Sequence, residues 1–494
     1  MIAAAIVAAL LVAGCSRAPQ PVVAATGPAR SAVNRLQRDI NSLIAATADR
    51  TTWGVLVRSL ATDATLYALN PRKLLRPASN VKIATLAAAA DQLGWDHSYD
   101  TRLFGVGTLH PGYLEGDLIV VGSGDPTIDD WDGAATRLFQ SWAEQLKAKG
   151  ISVIGGRIVG DDNAFEDETL GAGWAWDDLS GSFAAGVGAL QFNQNTARLT
   201  ITPAADVGQP PIVGVAAPGA PVALNNQLAT AAADTAPGIA IRRLPGSPVV
   251  DLRGSVPLGG GPVFRNVSVD NPTQYFVNQL RDALEANGVD VFGPAVDIDA
   301  LAEAPKREGA ALLLTHRSPP LSVLAVTMMK LSQNLYAETF LKTLGGRDRP
   351  ATSDAGRIAV QSTLTAWDVD PADVVVADGS GLSPYDLATP RAIVAVLTHI
   401  ARDERLRGPF EASLPIAGRD GTLSLRMRGT AAEGNARAKT GSLLNARAIS
   451  GYVRSADGEP LVFSILANNF GRAAGAAEAA EDAIVVRLAE FSRQ

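Results

Sequence analysis

The feature that most constrains this chain is a serine and a lysine three residues apart, in Pro77-Ala78-Ser79-Asn80-Val81-Lys82. They head the run Ile83-Ala84-Thr85-Leu86-Ala87-Ala88-Ala89-Ala90, whose Ala/Leu content predicts a helix. Spacing of i, i+3 places Ser79 and Lys82 on one helical face. A serine hydroxyl is a weak nucleophile until a neighbour takes its proton, and a lysine does so when burial and nearby positive charge lower its pKa. The helix N-terminus favours negative charge developing on an acylated carbonyl oxygen. Alone the pair is a weak signal and reads as a serine cap beside a solvated lysine. Two further stretches change that: Ser332-Gln333-Asn334, 253 positions further on, and Lys439-Thr440-Gly441.

The order Ser-x-x-Lys, Ser-x-Asn, Lys-Thr-Gly is that of acyl-serine enzymes of the penicillin-binding and serine β-lactamase type. In such a site Ser79 attacks a carbonyl and Lys82 is the first candidate for the base. Ser332 relays the proton to the leaving amine, and Asn334 orients Lys82 or holds a substrate amide. Lys439 adds positive charge that draws in a carboxylate, which the Thr440 and Ser442 hydroxyls bind. Gly441 leaves room for an extended peptide paired on the edge strand. The backbone N–H groups of Ser79 and Ser442 make an oxyanion hole.

Other chemistries find little support. The net charge is −7 with dispersed basic residues, which argues against a nucleic-acid partner. His97, His110, His316 and His399 are scattered without ligand spacing, and neither a metal nor a cofactor is expected. Gly122-Ser123-Gly124-Asp125-Pro126 lacks dinucleotide-loop and phosphate-loop spacing and reads as a turn. The single cysteine, Cys15, ends an apolar run of signal-peptide length. Leu11-Val12-Ala13-Gly14-Cys15 resembles a bacterial lipobox, although no basic residue precedes the run. The expectation is an exported envelope protein held to a membrane by a lipid on Cys15, with an ordinary secretory signal as the other reading.

At 494 residues the chain predicts several domains. The signal segment covers 1–15 and a Pro/Ala-rich linker 16–30. A helix is expected over 31–48, then a hairpin through Ala61-Thr62-Asp63. Three strands near 439–442, 446–453 and 461–468 and a terminal helix over 473–491 complete a five-stranded antiparallel sheet built from both chain ends and covered by helices. One long helix is expected over 326–344. The catalytic domain is thus assigned to 31–94 and 311–494. An α/β insertion takes 95–199 and 266–310, with a β-rich module at 200–265 nested in it. The fold class is α+β and multi-domain. The insertion is expected beside the cleft mouth, with acylation needing only Ser79 and the three motifs.

The chain resembles the D-alanyl-D-alanine carboxypeptidase/endopeptidases, the class C low-molecular-mass penicillin-binding proteins, from about residue 30 to its end. The likeness rests on the three motifs, the long separation of the first two, and on Gly122–Thr127, Trp174-Ala175-Trp176-Asp177-Asp178, Asn334-Leu335-Tyr336-Ala337-Glu338, Asp378-Gly379-Ser380-Gly381-Leu382-Ser383 and Leu414–Leu423. The resemblance implies a β-lactamase/DD-peptidase-like transpeptidase fold. It also implies hydrolysis of D-Ala-D-Ala or D-Ala cross-links in peptidoglycan stem peptides, and acylation by β-lactams. Asp177 resembles the carboxylate that faces the side-chain amine of the substrate, or else it is a turn cap. After Ser383 the family usually continues with Arg and, two on, Asn, where this chain has Pro384, Tyr385 and Asp386. The other readings are a serine β-lactamase, which would place a deacylating glutamate where none occurs between Glu338 and Glu404, and a catalytically idle envelope scaffold.

Overall fold

Val81–Leu93 is a helix with little amphipathic contrast, and its buried positions run nearly all round: Val81, Lys82, Ile83, Thr85, Leu86 and Ala87–Ala90. A helix apolar on every face belongs inside a core, and this one lies among helices Leu321–Lys330, Asn334–Leu344, Ser353–Ala366, Pro390–Arg402 and Glu404–Ser413. The protein is described here by a computed structural model covering residues 28–45, 50–217, 219–346, 350–471 and 474–494. Cys15 and the signal segment lie outside the described residues. The first described helix, Pro28–Ala45, begins inside the stretch expected as linker.

The catalytic domain is centred on a five-stranded antiparallel sheet. Its order is Arg437–Leu443, Ala446–Arg454, Pro460–Asn468, Thr52–Ser59, Thr65–Leu69. Strand Pro460–Asn468 is buried at every position but its first, because both faces of the sheet are covered. The core helices pack on one face, with Leu56, Ala448, Val462 and Leu466. On the other lie Pro28–Ala45 and Ala474–Ala489, with Val55, Ile449, Phe463 and Ile465. A strand buried on both faces reads as a continuous apolar run instead of an alternating one.

The insertion contains a seven-stranded mixed sheet that starts with the hairpin Asp100–His110 and Gly112–Val121. Ile151–Ile154 and Ile158–Asp161 pair parallel to that hairpin's second strand. Ala311–Arg317, expected in the catalytic domain, pairs antiparallel with Asp100–His110. The insertion's sheet therefore runs through residue 317, past the boundary read at 310. Nested within it are two three-stranded sheets spanning 196–268, slightly wider than the expected module. Among the described residues no helix is long and apolar enough to cross a membrane.

The single long helix expected over 326–344 is two helices, Leu321–Lys330 and Asn334–Leu344. Ser332 sits between them with φ +58°. A left-handed serine cannot continue a right-handed helix, so the chain breaks where the second motif begins.

Candidate active site

Three elements from distant parts of the chain converge on one cleft. The turn Ala78–Asn80 carries Ser79 into the buried helix, and Ala78 before it is held at φ +47°. The break between the two helices presents Ser332 and Asn334. The edge strand Arg437–Leu443 presents Lys439, Thr440, Gly441 and Ser442. The cleft encloses about 720 Å³, and Ser79, Ser332, Asn334, Ser442 and Gly381 are among its lining residues.

Lys82 is fully buried, as is Lys439. Lys82 Nζ lies 3.0 Å from Ser79 Oγ, 2.6 Å from Asn334 Oδ1 and 2.7 Å from the carbonyl oxygen of Ser380. Burial lowers its pKa to about 8, against the opposing pull of Asp378, Glu338 and Asp386. Desolvation, not a neighbouring positive charge, is thus the main reason a neutral amine is accessible here. Lys439 Nζ donates to Ser332 Oγ at 2.8 Å and to the carbonyl of Thr440 at 2.7 Å. Burial first, then the charge of Lys82, holds Lys439 well below the usual lysine range. The result is two linked pairs, Ser79–Lys82 and Ser332–Lys439, with Asn334 against the first lysine.

The contacts of several of these side chains differ from those expected. The Lys439 amine points at the Ser332 hydroxyl. The Thr440 hydroxyl donates to Thr422 Oγ1 at 2.7 Å, while Ser442 lines the cleft. A Cβ on Gly441 would meet the Pro77 carbonyl oxygen at 2.6 Å and Asn80 Nδ2 at 3.0 Å. Glycine is required there because the strand presses against the turn that carries Ser79, and Asn80 Nδ2 donates to the Lys439 carbonyl at 3.2 Å across that contact. Asp177 is exposed and outside the cleft lining, whereas its neighbour Asp178 lines the cleft with Phe183. One step along the turn exchanges the two carboxylates.

Behind Lys82 lie residues outside the three motifs that the sequence did not mark as functional. Glu338 accepts the N–H groups of Gly379 and Ser380 at 2.9 and 2.8 Å. Asp378 accepts those of Gly381 and Ser383 at 2.6 and 2.7 Å. Together they fix the glycine-punctuated loop whose Ser380 carbonyl holds Lys82. A Cβ on Gly381, φ +82°, would lie 2.0 Å from the Ala78 carbonyl oxygen, so this loop abuts the nucleophile turn directly. The insertion takes part too: Trp174 Nε1 donates to Asp378 at 2.9 Å and Asn334 Nδ2 to the Phe183 carbonyl at 2.7 Å. Glu338, Asp378 and Trp174 each lie in a stretch that carries the family resemblance, but nothing in the sequence pairs them.

Comparison with known proteins bears on the whole assembly. The D-Ala-D-Ala carboxypeptidase 3 (S13) family matches residues 36–491. A curated relative, the D-alanyl-D-alanine carboxypeptidase of Actinomadura sp. (strain R39), is 35% identical over 485 residues, 96% of this chain and 87% of that protein. The D-alanyl-D-alanine carboxypeptidase DacB of Haemophilus influenzae is 28% identical, over 84% of this chain and 85% of that protein. The crystal structure of penicillin binding protein 4 (dacB) from Haemophilus influenzae superposes with a TM-score of 0.80 at 26% identity, covering 91% of this chain and 98% of that one. The match runs through both halves of the catalytic sheet and the insertion between them, and the chain belongs to the D-Ala-D-Ala carboxypeptidase 3 (S13) family.

Proposed function

We infer that the chain is a serine-type D-alanyl-D-alanine carboxypeptidase and endopeptidase of peptidoglycan, acylated by β-lactams. The observation that carries the reading is the 3.0 Å approach of a fully buried lysine amine, lowered in pKa, to the hydroxyl of a cleft serine. A solved relative, penicillin binding protein 4 from Haemophilus influenzae, is known in complex with a β-lactam.

Neutral Lys82 takes the Ser79 proton as Oγ adds to the carbonyl carbon of the penultimate D-Ala. The oxyanion lies against the N–H groups of Ser79 and Ser442. As the tetrahedral species collapses, the C–N bond breaks and the leaving nitrogen gains a proton through Ser332, whose hydroxyl is held by Lys439. Free D-Ala departs, or, when the nitrogen belongs to a second stem peptide, the cross-link opens. Water then hydrolyses the Ser79 ester and restores the hydroxyl. A β-lactam follows the first half of this route, with the ring amide as the acyl group and its amine retained. Asp178 lines the cleft from the insertion, and we propose that it, in place of the expected Asp177, faces a side-chain amine on the stem peptide.

We further propose export to the cell envelope with a lipid on Cys15. Release of D-alanine from a peptide ending in D-Ala-D-Ala tests the activity. Turnover by wild type and none by Ser79→Ala is the expected result, and no turnover of any D-Ala-D-Ala peptide by wild type would overturn it.

A further inference from the structure

Glu338, Asp378 and Asp386 form a carboxyl cluster under Lys82 in which every member is buried, Asp386 completely. Their hydrogen bonding is uneven. Asp378 collects donors on both oxygens: Ser380 and Gly381 N–H on Oδ1 at 3.1 and 2.6 Å, Ser383 N–H and the Trp174 indole on Oδ2 at 2.7 and 2.9 Å. Glu338 has one backbone donor on each oxygen. Asp386 Oδ1 accepts from Ala377 N–H at 2.7 Å and Asp378 N–H at 3.3 Å, but its Oδ2 is buried with no donor at all. Asp386 thus accepts the backbone N–H of Asp378, and the carboxyl groups of the two residues act on each other directly.

An ionised carboxylate only accepts hydrogen bonds. Two ionised groups in this contact would repel each other, and the bare Oδ2 would be a buried charge without compensation. One proton on Oδ2 removes both difficulties, and the donor count shows which partner keeps the charge. We propose that Asp386 is a positioning residue that stands protonated in the working enzyme, donates its carboxyl proton to Asp378, and so holds this pair beneath Lys82 at a single negative charge.

The consequence falls on the base. Lys82 from its helix, Glu338 from Asn334–Leu344 and Asp378 from the loop face this cluster, Lys439 lies beyond Lys82, and Arg357 donates to the Ala377 carbonyl at 3.4 Å. Burial, then the charge of Asp378, pushes Asp386 well above the ordinary carboxylate range. A second negative charge at Asp386 would favour the ammonium form of Lys82 and so remove the base. This part rests on the reading of Lys82 as base, while the protonation of Asp386 does not.

The test uses the full chain as wild type, Asp386→Asn and Asp386→Ala, with infrared difference spectra and the pH profile of penicillin acylation. Asparagine keeps the Oδ1 acceptor and donates an N–H where the acid donated O–H. Wild type minus Asp386→Asn should show a protonated-carboxyl C=O band. Asp386→Ala should slow acylation by about tenfold or more, with Asp386→Asn recovering most of the loss. The acid limb of Asp386→Asn should stay within a few tenths of a pH unit of wild type. No protonated band, or an acid limb moved down by about a pH unit as a lost negative charge would produce, overturns the proposal. Should Asp386→Ala fail to fold, the band and the asparagine profile still decide it. A wild type with no acid limb refutes Lys82 as base, and the band alone then decides the state of Asp386.

Discussion

Asn334 Nδ2 donates to the carbonyl oxygen of Phe183 at 2.7 Å, while Oδ1 of the same amide accepts from Lys82 at 2.6 Å. One side chain therefore joins Lys82 to the inserted domain. The Trp174–Asp378 bond makes a second tie from the insertion to the groups around Lys82. The insertion helps to hold the surroundings of Lys82, which the three motifs taken alone did not suggest.

Trp174→Phe should therefore slow penicillin acylation, although the residue belongs to no motif. The substitution keeps an aromatic ring and removes the N–H to a buried carboxylate, an interaction worth roughly 1.5–3 kcal/mol. A fall of about tenfold in the acylation rate, with the thermal transition lowered but cooperative, is expected. Stopped-flow acylation measures it, and an unchanged rate would mean that the insertion only borders the cleft.

Acylation should rise with pH through about 8, the lowered pKa of Lys82. The neutral amine is the base, so the rate is low where the amine is protonated and levels above that pKa. A rate constant for acylation flat from pH 6 to pH 10 would remove Lys82 from the proton transfer.

Lys439→Ala should slow acylation by on the order of a hundredfold, since it takes away the donor that fixes Ser332 Oγ. Because the amine is buried against Ser332 and Thr440, the loss should be similar for a peptide with a free terminal carboxylate and for its amide. A loss confined to the free carboxylate would place the lysine's main effect on substrate binding instead.

Asp178→Asn should lower turnover of stem peptides bearing a free side-chain amine by about tenfold, with penicillin acylation nearly unchanged. Asp177→Asn, on the exposed side of the same turn, should change neither. Steady-state kinetics on peptides with free and acetylated amine separates the two carboxylates, and equal effects of both variants would count against the assignment.

The three motifs were legible because each is local: a serine and lysine one turn apart, a serine and asparagine two positions apart, and a Lys-Thr-Gly strand. The hairpin and the three C-terminal strands were legible for the same reason, through their apolar runs and turn residues. What lay hidden depends on long-range pairing. Trp174 and Asp378 stand 204 positions apart, and no pattern at either end announces the bond. The left-handed Ser332, φ +58°, has no sequence mark, so two helices read as one. Strand Ala311–Arg317 pairs with Asp100–His110 across the whole insertion, which placed the expected boundary a strand too early. Asp177 and Asp178 are adjacent carboxylates, and only the turn geometry decides which faces the cleft.

Ser79 is the proposed nucleophile, and intact-mass and peptide mass spectrometry after exposure to benzylpenicillin test that most directly. Removing the Ser79 hydroxyl deletes one hydrogen bond, about 1 kcal/mol, so Ser79→Ala should remain folded. One penicilloyl adduct per wild-type chain, mapped to the peptide containing Ser79 and missing from Ser79→Ala, is the predicted result. An adduct mapped to another residue, or one that persists in folded Ser79→Ala, would contradict it.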